Sequence, residues 1–381
     1  MQVEIASQLS DFSAKEWNRL AGDRFPFLRH EFLEAAESTG SASAETGWKP
    51  CHVGLRDQSG KLQAAMPLYE KSHSWGEFVF DWSWAQAYEQ AGFAYYPKLV
   101  STVPFTPAPS SRLLLSDQAH APELLDAARQ LATDKDSSSL HVLFPEASEL
   151  SYLQDAGLQL RKDCQFHWQN QDYGSFDDFL ATFSSAKRKK ARRDRRRVRE
   201  QGITFRRFKG HETDLVIWKD VYELISMTFL RRGSMPYFNF DFFLEVSARL
   251  PENMLVVIAE KDRMPVAAAV FYDTSDTLYG RYWGAEARYN ALHFETCYYQ
   301  GIDYCIEHAR KHFEPGTQGE HKISRGFVPV TTWSAHWLAR PEFFSAVERY
   351  LRAEAHHVDD YIEAVKSHSP YKVASPGEAE L

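Results

Sequence analysis

The sequence predicts two mixed α/β units built on one plan, and three observations lead there. Length is the first: 381 residues, 44% hydrophobic and 14% aromatic, exceed one comfortable core and supply apolar surface for two. The second is an internal likeness. Residues 53–69, VGLRDQSGKLQAAMPLY, and residues 257–272, VIAEKDRMPVAAAVFY, each run from a strand-like apolar start through a charged turn into an Ala-rich stretch ending in Tyr. They align with a single-residue gap and read as equivalent hairpins. The third is residues 278–327, where a strand-like segment, a helix and a polar stretch follow one another. The division this suggests is an N-terminal unit over residues 1–174 and a C-terminal unit over residues 175–381.

In the first unit, helices near residues 13–19 and 31–38 precede the first hairpin, and strand-like segments lie at 140–144 and 165–169. Between them, Trp75, Trp82, Trp84, Tyr95 and Tyr96 crowd close to Glu77, Asp81 and Lys98. Two readings stay open: an aromatic mini-core beneath a Pro-rich loop, or one wall of an elongated substrate groove with Asp81 and Trp82 touching substrate.

The second unit opens on a basic run. Residues 187–199 hold ten basic residues against the single Asp194, a local charge of +9, which leaves −17 on the rest of a chain whose net charge is −8. Such asymmetry points to a localised anionic partner rather than a uniformly cationic nucleic-acid binder. As a helix the run has only Ala191 and Val198, seven residues apart, to anchor it, so the remainder faces solvent or an anion. It is either a solvated face beside acidic neighbours or a phosphate site, with Arg188 and Arg192 as contacts to a nucleotide-linked precursor, a lipid-linked precursor or a tRNA acceptor end. No helix-turn-helix or zinc-finger pattern is present to read bases, so DNA is not an expected partner.

From Phe294 the apolar or small residues fall at Cys297, Tyr298, Gly301, Ile302, Cys305, Ile306, Ala309 and Phe313, the spacing of a helix burying one face. Residues 277–284 before it favour a strand. After it, Pro315, Gly316 and Gly319 break the helix and open a polar strand holding Glu320, His321, Lys322 and Arg325, where acid, base and cation candidates gather. Phe343, Phe344, Val347, Tyr350 and Leu351 give residues 341–365 helical spacing, and the last dozen residues are expected to be disordered.

Several chemistries lose their anchors. There is no GxSxG elbow, P-loop or GxGxxG fingerprint, and no HExxH-type spacing, so no metal is expected. Cys51, Cys164, Cys297 and Cys305 lack CxxC spacing and read as free thiols. No apolar run reaches the length of a membrane span, and the start, MQVEIASQLSDF, has neither a basic n-region nor an apolar h-region, so the expected location is the cytoplasm.

The run from LYGRYWG through LHFETCYYQGIDYCIEHA to FEPGTQGEHKISRGFVPV, with GEFVFDWSWAQAYEQAGFAYYPKL and QFHWQN before the basic helix, resembles the FemAB-like N-acyltransferases of peptidoglycan biosynthesis or recognition. The resemblance covers roughly residues 40–365. It implies two tandem GNAT-like domains of mixed α/β class, in agreement with the repeated hairpin. It implies transfer of an acyl or aminoacyl group to an amine of a peptidoglycan precursor or other small molecule, with aminoacyl-tRNA or acyl-CoA as donor, tRNA a further partner and no tightly bound cofactor. By the same resemblance, Arg188 and its neighbours match a Lys/Arg-rich helix near the precursor's phosphates, and Lys322 and Phe327 match a lysine and an aromatic on the strand after the long helix. Two departures stand out: the basic run is heavier, and EPGTQGEH replaces a glycine-rich approach to that strand.

CoA-dependent GNAT enzymes place an Arg/Gln-x-x-Gly-x-Gly/Ala loop before the long helix to hold pyrophosphate. The nearest match here is Arg281, Gly284 and then Glu286, whose carboxylate would repel pyrophosphate, so the reading favours a donor other than CoA. Glu320 or His321 is the candidate base for the attacking amine, and Lys322 or Arg281 the candidate oxyanion partner. The alternative for Glu320 and His321 is a salt-bridged strand end. Two further readings are a non-catalytic GNAT-like module that binds muropeptide or tRNA, and a scaffold using its aromatic segment as an interface.

Overall fold

A computed structural model describes residues 1–287, 289–317 and 319–372. From the N-terminus come β1 (Gln2–Ala6), α1 (Ala14–Ala21), α2 (His30–Ser38), β2 (Trp48–Pro50), β3 (His52–Arg56), β4 (Leu62–Met66), β5 (Tyr69–Lys71), α3 (Trp82–Gln90), β6 (Lys98–Ser101), β7 (Leu114–Leu115), α4 (Ala121–Asp134), β8 (Ser139–Leu143), α5 (Leu150–Asp155) and β9 (Gln159–Gln169). There follow α6 (Phe176–Ala181), α7 (Ser185–Glu200), β10 (Ile203–Lys209), α8 (Leu215–Leu230), α9 (Phe240–Arg249), β11 (Met254–Lys261), β12 (Met264–Asp273), β13 (Thr277–Ala285), α10 (Leu292–Phe294), α11 (Gln300–Glu307), β14 (His312–Glu314), β15 (Val328–Leu338) and α12 (Pro341–Lys366).

These elements form two compact units that are discontinuous in sequence. One comprises Met1–Asp163, Tyr237–Leu250 and Thr331–Asp359; the other comprises Cys164–Pro236, Pro251–Val330 and the chain from Asp360. One cut after residue 174 therefore misses two returns of the chain to the first unit. Helix α9 returns because Phe242 packs edge-on against Phe32 of α2 at 5.2 Å, and Asn239 Nδ2 donates to Thr39 O at 2.5 Å. Contacts about 200 residues apart in sequence leave no local pattern.

Both expected hairpins are present. β3 pairs antiparallel with β4 and β11 with β12, and in each the register shifts near the end of the first strand, at Leu55/Arg56 and at Ala259/Glu260. In the first unit, β1, β3, β4 and β7 form one antiparallel sheet. A second sheet runs β15, β8, β6, β5, β2, parallel only between β6 and β8. Helix α4 connects those parallel strands and buries Leu124, Leu125, Ala128 and Ala132, a 3.6-residue stripe, in a core with Val53, Leu99 and Val142. In the second unit the order is β10, β11, β12, β13, β14, β9, parallel only between β13 and β14. Its core gathers Phe271, Leu278, Ile302, Cys305, Phe313 and Phe327.

Three expectations need correction. The helix after Phe294 ends at Glu307, because Ala309 adopts a left-handed φ of 51° and Arg310 N closes onto Cys305 O at 2.8 Å. Phe313 reaches the same core from β14, so its place in the helical spacing was a coincidence of burial. The polar stretch expected as a strand is instead a 3₁₀ helix, Glu320–Arg325, bounded by Gly319 (φ 106°) and Gly326 (φ 95°); the strand starts only at Val328. In α12, Val347 and Leu351 are buried as expected but Tyr350 is 45% exposed. The last nine residues, 373–381, lie outside those described, and with them most of the tail expected to be disordered. All four cysteines are free thiols.

Candidate functional site

The second unit's parallel pair stops early. β13 and β14 match at Thr277↔His312, Leu278↔Phe313 and Tyr279↔Glu314; β14 then ends, with Pro315 next in the chain, while β13 runs on to Ala285. Proline has no N–H to continue a ladder and a fixed φ that turns the chain away. The sheet opens there into a cavity of about 80 Å³ lined by Gly280, Arg281 and Trp283 of β13, Ala269 and Phe271 of β12, Pro315, and Cys297 and Tyr298 from beyond α10.

Residues Glu295–Tyr299, between α10 and α11, form a π turn, a feature that recurs at functional sites because one extra residue per turn re-aims the side chains. Tyr298 Oη shares a 2.8 Å hydrogen bond with His321 Nε2. The His321 ring also packs against Phe294 and His293, at 5.7 and 5.9 Å between centroids. Partial burial, then the neighbouring charges of Arg325 and Lys322, lower the pKa of His321; burial lowers that of His293 to about 4. Both imidazoles are therefore biased toward the neutral form, which can accept a proton.

Lys322 is buried, and its Nζ donates to Gly316 O at 2.5 Å and Thr317 O at 3.2 Å. Burial pulls its pKa down to about 7, against the opposing charge of Glu314. Arg281 donates from Nη2 to Glu314 Oε1 at 2.8 Å and from Nη1 to Gly280 O at 2.9 Å, so it braces the two strands where they part. Arg325 donates from Nη1 to His321 O at 2.6 Å and from Nη2 to Asp194 Oδ2 at 3.2 Å, with its guanidinium 3.3 Å from the Phe294 ring centroid. Glu320 is exposed, and its Oε1 accepts from Tyr361 Oη at 3.0 Å. The structure thus brings His321, Lys322, Arg281 and Arg325 around Tyr298, Glu314 and Phe294. Of these only Arg281 and Tyr298 line the cavity itself; His321 reaches it through Tyr298, and Glu320 is not part of the group.

Helix α7 is anchored by Ala191 and Val198, and also by the buried Asp194. Arg195, read from the sequence as one more basic residue, turns inward to Asp303 Oδ2 at 2.6 Å and Glu295 Oε1 at 3.0 Å. Arg192 is exposed and pairs with Asp177 at 2.8 Å. Half-buried Arg188, together with Lys187, Lys189, Lys190, Arg193, Arg197 and Arg199, has no carboxylate partner among the described residues, leaving a cationic outer face. In the first unit, Asp81 is buried against Lys98 and Tyr95, whereas Trp82 is 41% exposed and meets Trp75 edge-on at 5.2 Å.

Sequence reasoning passed over Tyr298, Phe294 and Glu314. The first two sit at core-like helical spacing, and nothing in the pattern says that one carries a hydrogen bond to a histidine. Glu314 had a signal: an acid immediately before the Pro315 and Gly316 break.

A family model for FemAB-like proteins, described as peptidoglycan biosynthesis/recognition, matches residues 8–373. Among solved structures, the chain resembles the C-terminal domain of a putative lysylphosphatidylglycerol synthetase from Agrobacterium fabrum, with a TM-score of 0.54 and 12% identity over 89% of this chain and 95% of that one. It resembles FemX with a TM-score of 0.54 and 12% identity, over 91% of this chain and all of the other. A third likeness is to L-PGS from Bacillus licheniformis, with a TM-score of 0.52 and 12% identity over 87% and 98% of the two chains. At that identity these likenesses bear on fold, and the fold is mixed α/β and tandem GNAT-like. No curated protein sequence matches the chain.

Proposed function

The chain belongs to the FemAB-like family, and from that premise we propose that it is an N-acyltransferase that moves an acyl or aminoacyl group onto an amine, in a ternary complex and without a covalent enzyme intermediate. The observation that carries the reading is the opening between β13 and β14, with the His321–Tyr298 pair beside it and Arg281 in its wall. The amine nitrogen attacks the acyl carbonyl carbon and forms the N–C bond. His321, exposed and biased toward the neutral form, takes the proton that the amine loses. The C–O bond of an ester donor, or the C–S bond of a thioester donor, then breaks, and the leaving atom recovers a proton from the imidazolium. Arg281 supports the oxyanion reading, since it is the cationic residue among those lining the cavity. Lys322 has two of its three N–H bonds directed at carbonyls, so its contribution runs chiefly through the loop it holds.

Two features bear on substrates. Gly284 is a packing glycine: a Cβ there would lie 2.1 Å from Leu224 C and 2.2 Å from Ile225 N of α8. It therefore sits within β13 and not in a phosphate-cradling loop, which supports a donor other than CoA, aminoacyl-tRNA foremost. The cationic outer face of α7 supports a phosphate-bearing acceptor of peptidoglycan-precursor type.

The test is incubation of the full chain with a labelled aminoacyl-tRNA pool, or with acetyl-CoA, together with a UDP-linked muramyl pentapeptide, read by product mass. An acceptor heavier by one acyl or aminoacyl group is the expected result. Saturable precursor binding with no product from either donor would replace this reading with the non-catalytic recognition module.

A further inference from the structure

Two residues of the basic run turn inward, and both reach the elements that shape the candidate site. Asp194 Oδ2 accepts from Tyr299 Oη at 3.4 Å and from Arg325 Nη2 at 3.2 Å. Arg195, next to it, differs from the outer cations of α7, for its side chain is only 22% exposed. Its Nη1 and Nη2 donate to the two oxygens of Asp303 at 3.2 and 2.6 Å, and Nη2 also donates to Glu295 Oε1 at 3.0 Å. The guanidinium lies 4.3 Å from the Phe176 ring centroid, which limits its rotation.

Glu295 opens the π turn, and Asp303 lies eight positions further on, in α11. In a regular α-helix residues with that separation point about 80° apart around the axis. One residue taken up by a π turn brings them to within about 20°, onto one face, where a single guanidinium can hold both. A second contact has the same origin. Gln300 Nε2 donates to Glu295 Oε1 at 2.9 Å, five positions back, although a regular helix sets such residues about 140° apart. Arg207 of β10 holds the other end of that amide, donating from Nη2 to Gln300 Oε1 at 3.1 Å.

The arrangement buries charge. Glu295 is 3% exposed, and its Oε2 has no hydrogen-bond partner among the described residues. A buried ion pair is weak evidence for stability, but it can fix register. Register matters here because Tyr298 lies inside the turn, lines the cavity and shares a 2.8 Å hydrogen bond with His321. Losing the extra residue would rotate the chain before the turn by about 100° against the chain after it. We propose that Arg195 is a positioning residue: by tying Glu295 to Asp303 across the extra residue, it keeps the π turn in place and Tyr298 on His321. Its importance for turnover rests on the acyl-transfer reading; its hold on the turn does not.

The test uses the full chain and two readouts. The first is the ¹⁵N shift of His321 Nε2, which needs no substrate. Tyr298→Phe removes the hydrogen bond and should move that shift. Arg195→Gln and Asp303→Ala, each cutting the tie at a different end, should move it in the same direction, with circular dichroism confirming the fold of each variant. The double variant Arg195→Gln/Tyr298→Phe should move it no further than Tyr298→Phe alone, because both changes act through one bond. Arg206→Gln, which removes an exposed pair with Glu260 on the neighbouring strand, should leave it in place. The second readout is the transfer assay, where Arg195→Gln should lower kcat about tenfold or more, with KM within about threefold. A His321 signal that Tyr298→Phe moves but neither Arg195→Gln nor Asp303→Ala moves would overturn the proposal, showing that core packing at Leu292 and Gly301 fixes the turn alone. Additive shifts in the double variant, a signal that Tyr298→Phe does not move, or an unchanged kcat in an active enzyme would overturn it as well. The expected shifts in a chain that forms no product from any donor would uphold the hold of Arg195 on the turn and refute the acyl-transfer reading instead.

Discussion

Each unit contains one parallel strand pair joined through a helix, and the two pairs end differently. In the first unit, β6 matches β8 at Leu99↔Leu140, Val100↔His141 and Ser101↔Val142, and β6 stops at its last partner. The joining helix, α4, is regular from Ala121 to Asp134, with a proline in its first turn. In the second unit, β13 outruns β14 by six residues and the joining helix carries a π turn. The same connection is closed in one copy and open in the other. What differs locally is small: Pro315 stops β14, and Gly284 lets α8 press on the extended end of β13. A duplicated architecture thus pairs a unit whose parallel strands part around a cavity with one whose parallel pair closes beside buried polar groups.

The sharpest way to break this comparison is His321→Ala. If the open pair is the reacting one, turnover should fall by roughly 10²–10⁴ with acceptor affinity nearly intact, measured as kcat against KM in the transfer assay. A rate within about threefold of wild type would move the base elsewhere. Next comes Gly284→Ala, which forces a Cβ into the α8 backbone and should cost about 3 kcal/mol in chemical denaturation. Gly54→Ala, in the first hairpin, meets only side chains, the Phe12 ring and Leu62 Cδ1, which can shift, and should cost about 1 kcal/mol.

A subtler comparison concerns two lysines, one in each unit. Burial lowers Lys71, seated over the Trp48 ring, to about 7, and Lys322 likewise to about 7. Between about 7 and the ordinary 10.5, the folded state binds fewer protons at each site than the unfolded chain does, so stability rises with pH across that window. Thermal melts from pH 7 to 9 should show the midpoint rising, with a flatter slope in Lys71→Met and in Lys322→Met; an unchanged slope in either would show that lysine to be ordinary. The smallest effect expected is that of Glu320→Gln. Exposed and bonded to Tyr361, this carboxylate should change turnover by less than about threefold.

What could be read from the sequence followed periodicity. The hairpins, the Ala191 and Val198 anchors of α7 and the buried Val347 and Leu351 of α12 all obey a spacing set by 2.0 or 3.6 residues per repeat. The elements that shape the candidate site break those periods. Glu295–Tyr299 adds a residue to its turn, residues 320–325 form a 3₁₀ helix where a polar strand was expected, and α9 returns to the first unit through aromatic contacts and the hydrogen bonds of Asn239. His321 and Lys322 were noticed for their chemistry, but their partners Tyr298 and Gly316 O were hidden, one by core-like spacing and the other by being backbone.

Asp194 inverts the apparent logic of the basic run. Its neighbours on the outer face are interchangeable cations, but Asp194 is buried with Arg325 and Tyr299 as partners, and Arg325 in turn holds the carbonyl of His321. Mutational tolerance along the run should therefore run opposite to its composition. In a randomised library of residues 187–199 selected for folding and activity, Lys and Arg would exchange freely at 189, 190, 193 and 197, and the lone acid would be the residue that never changes.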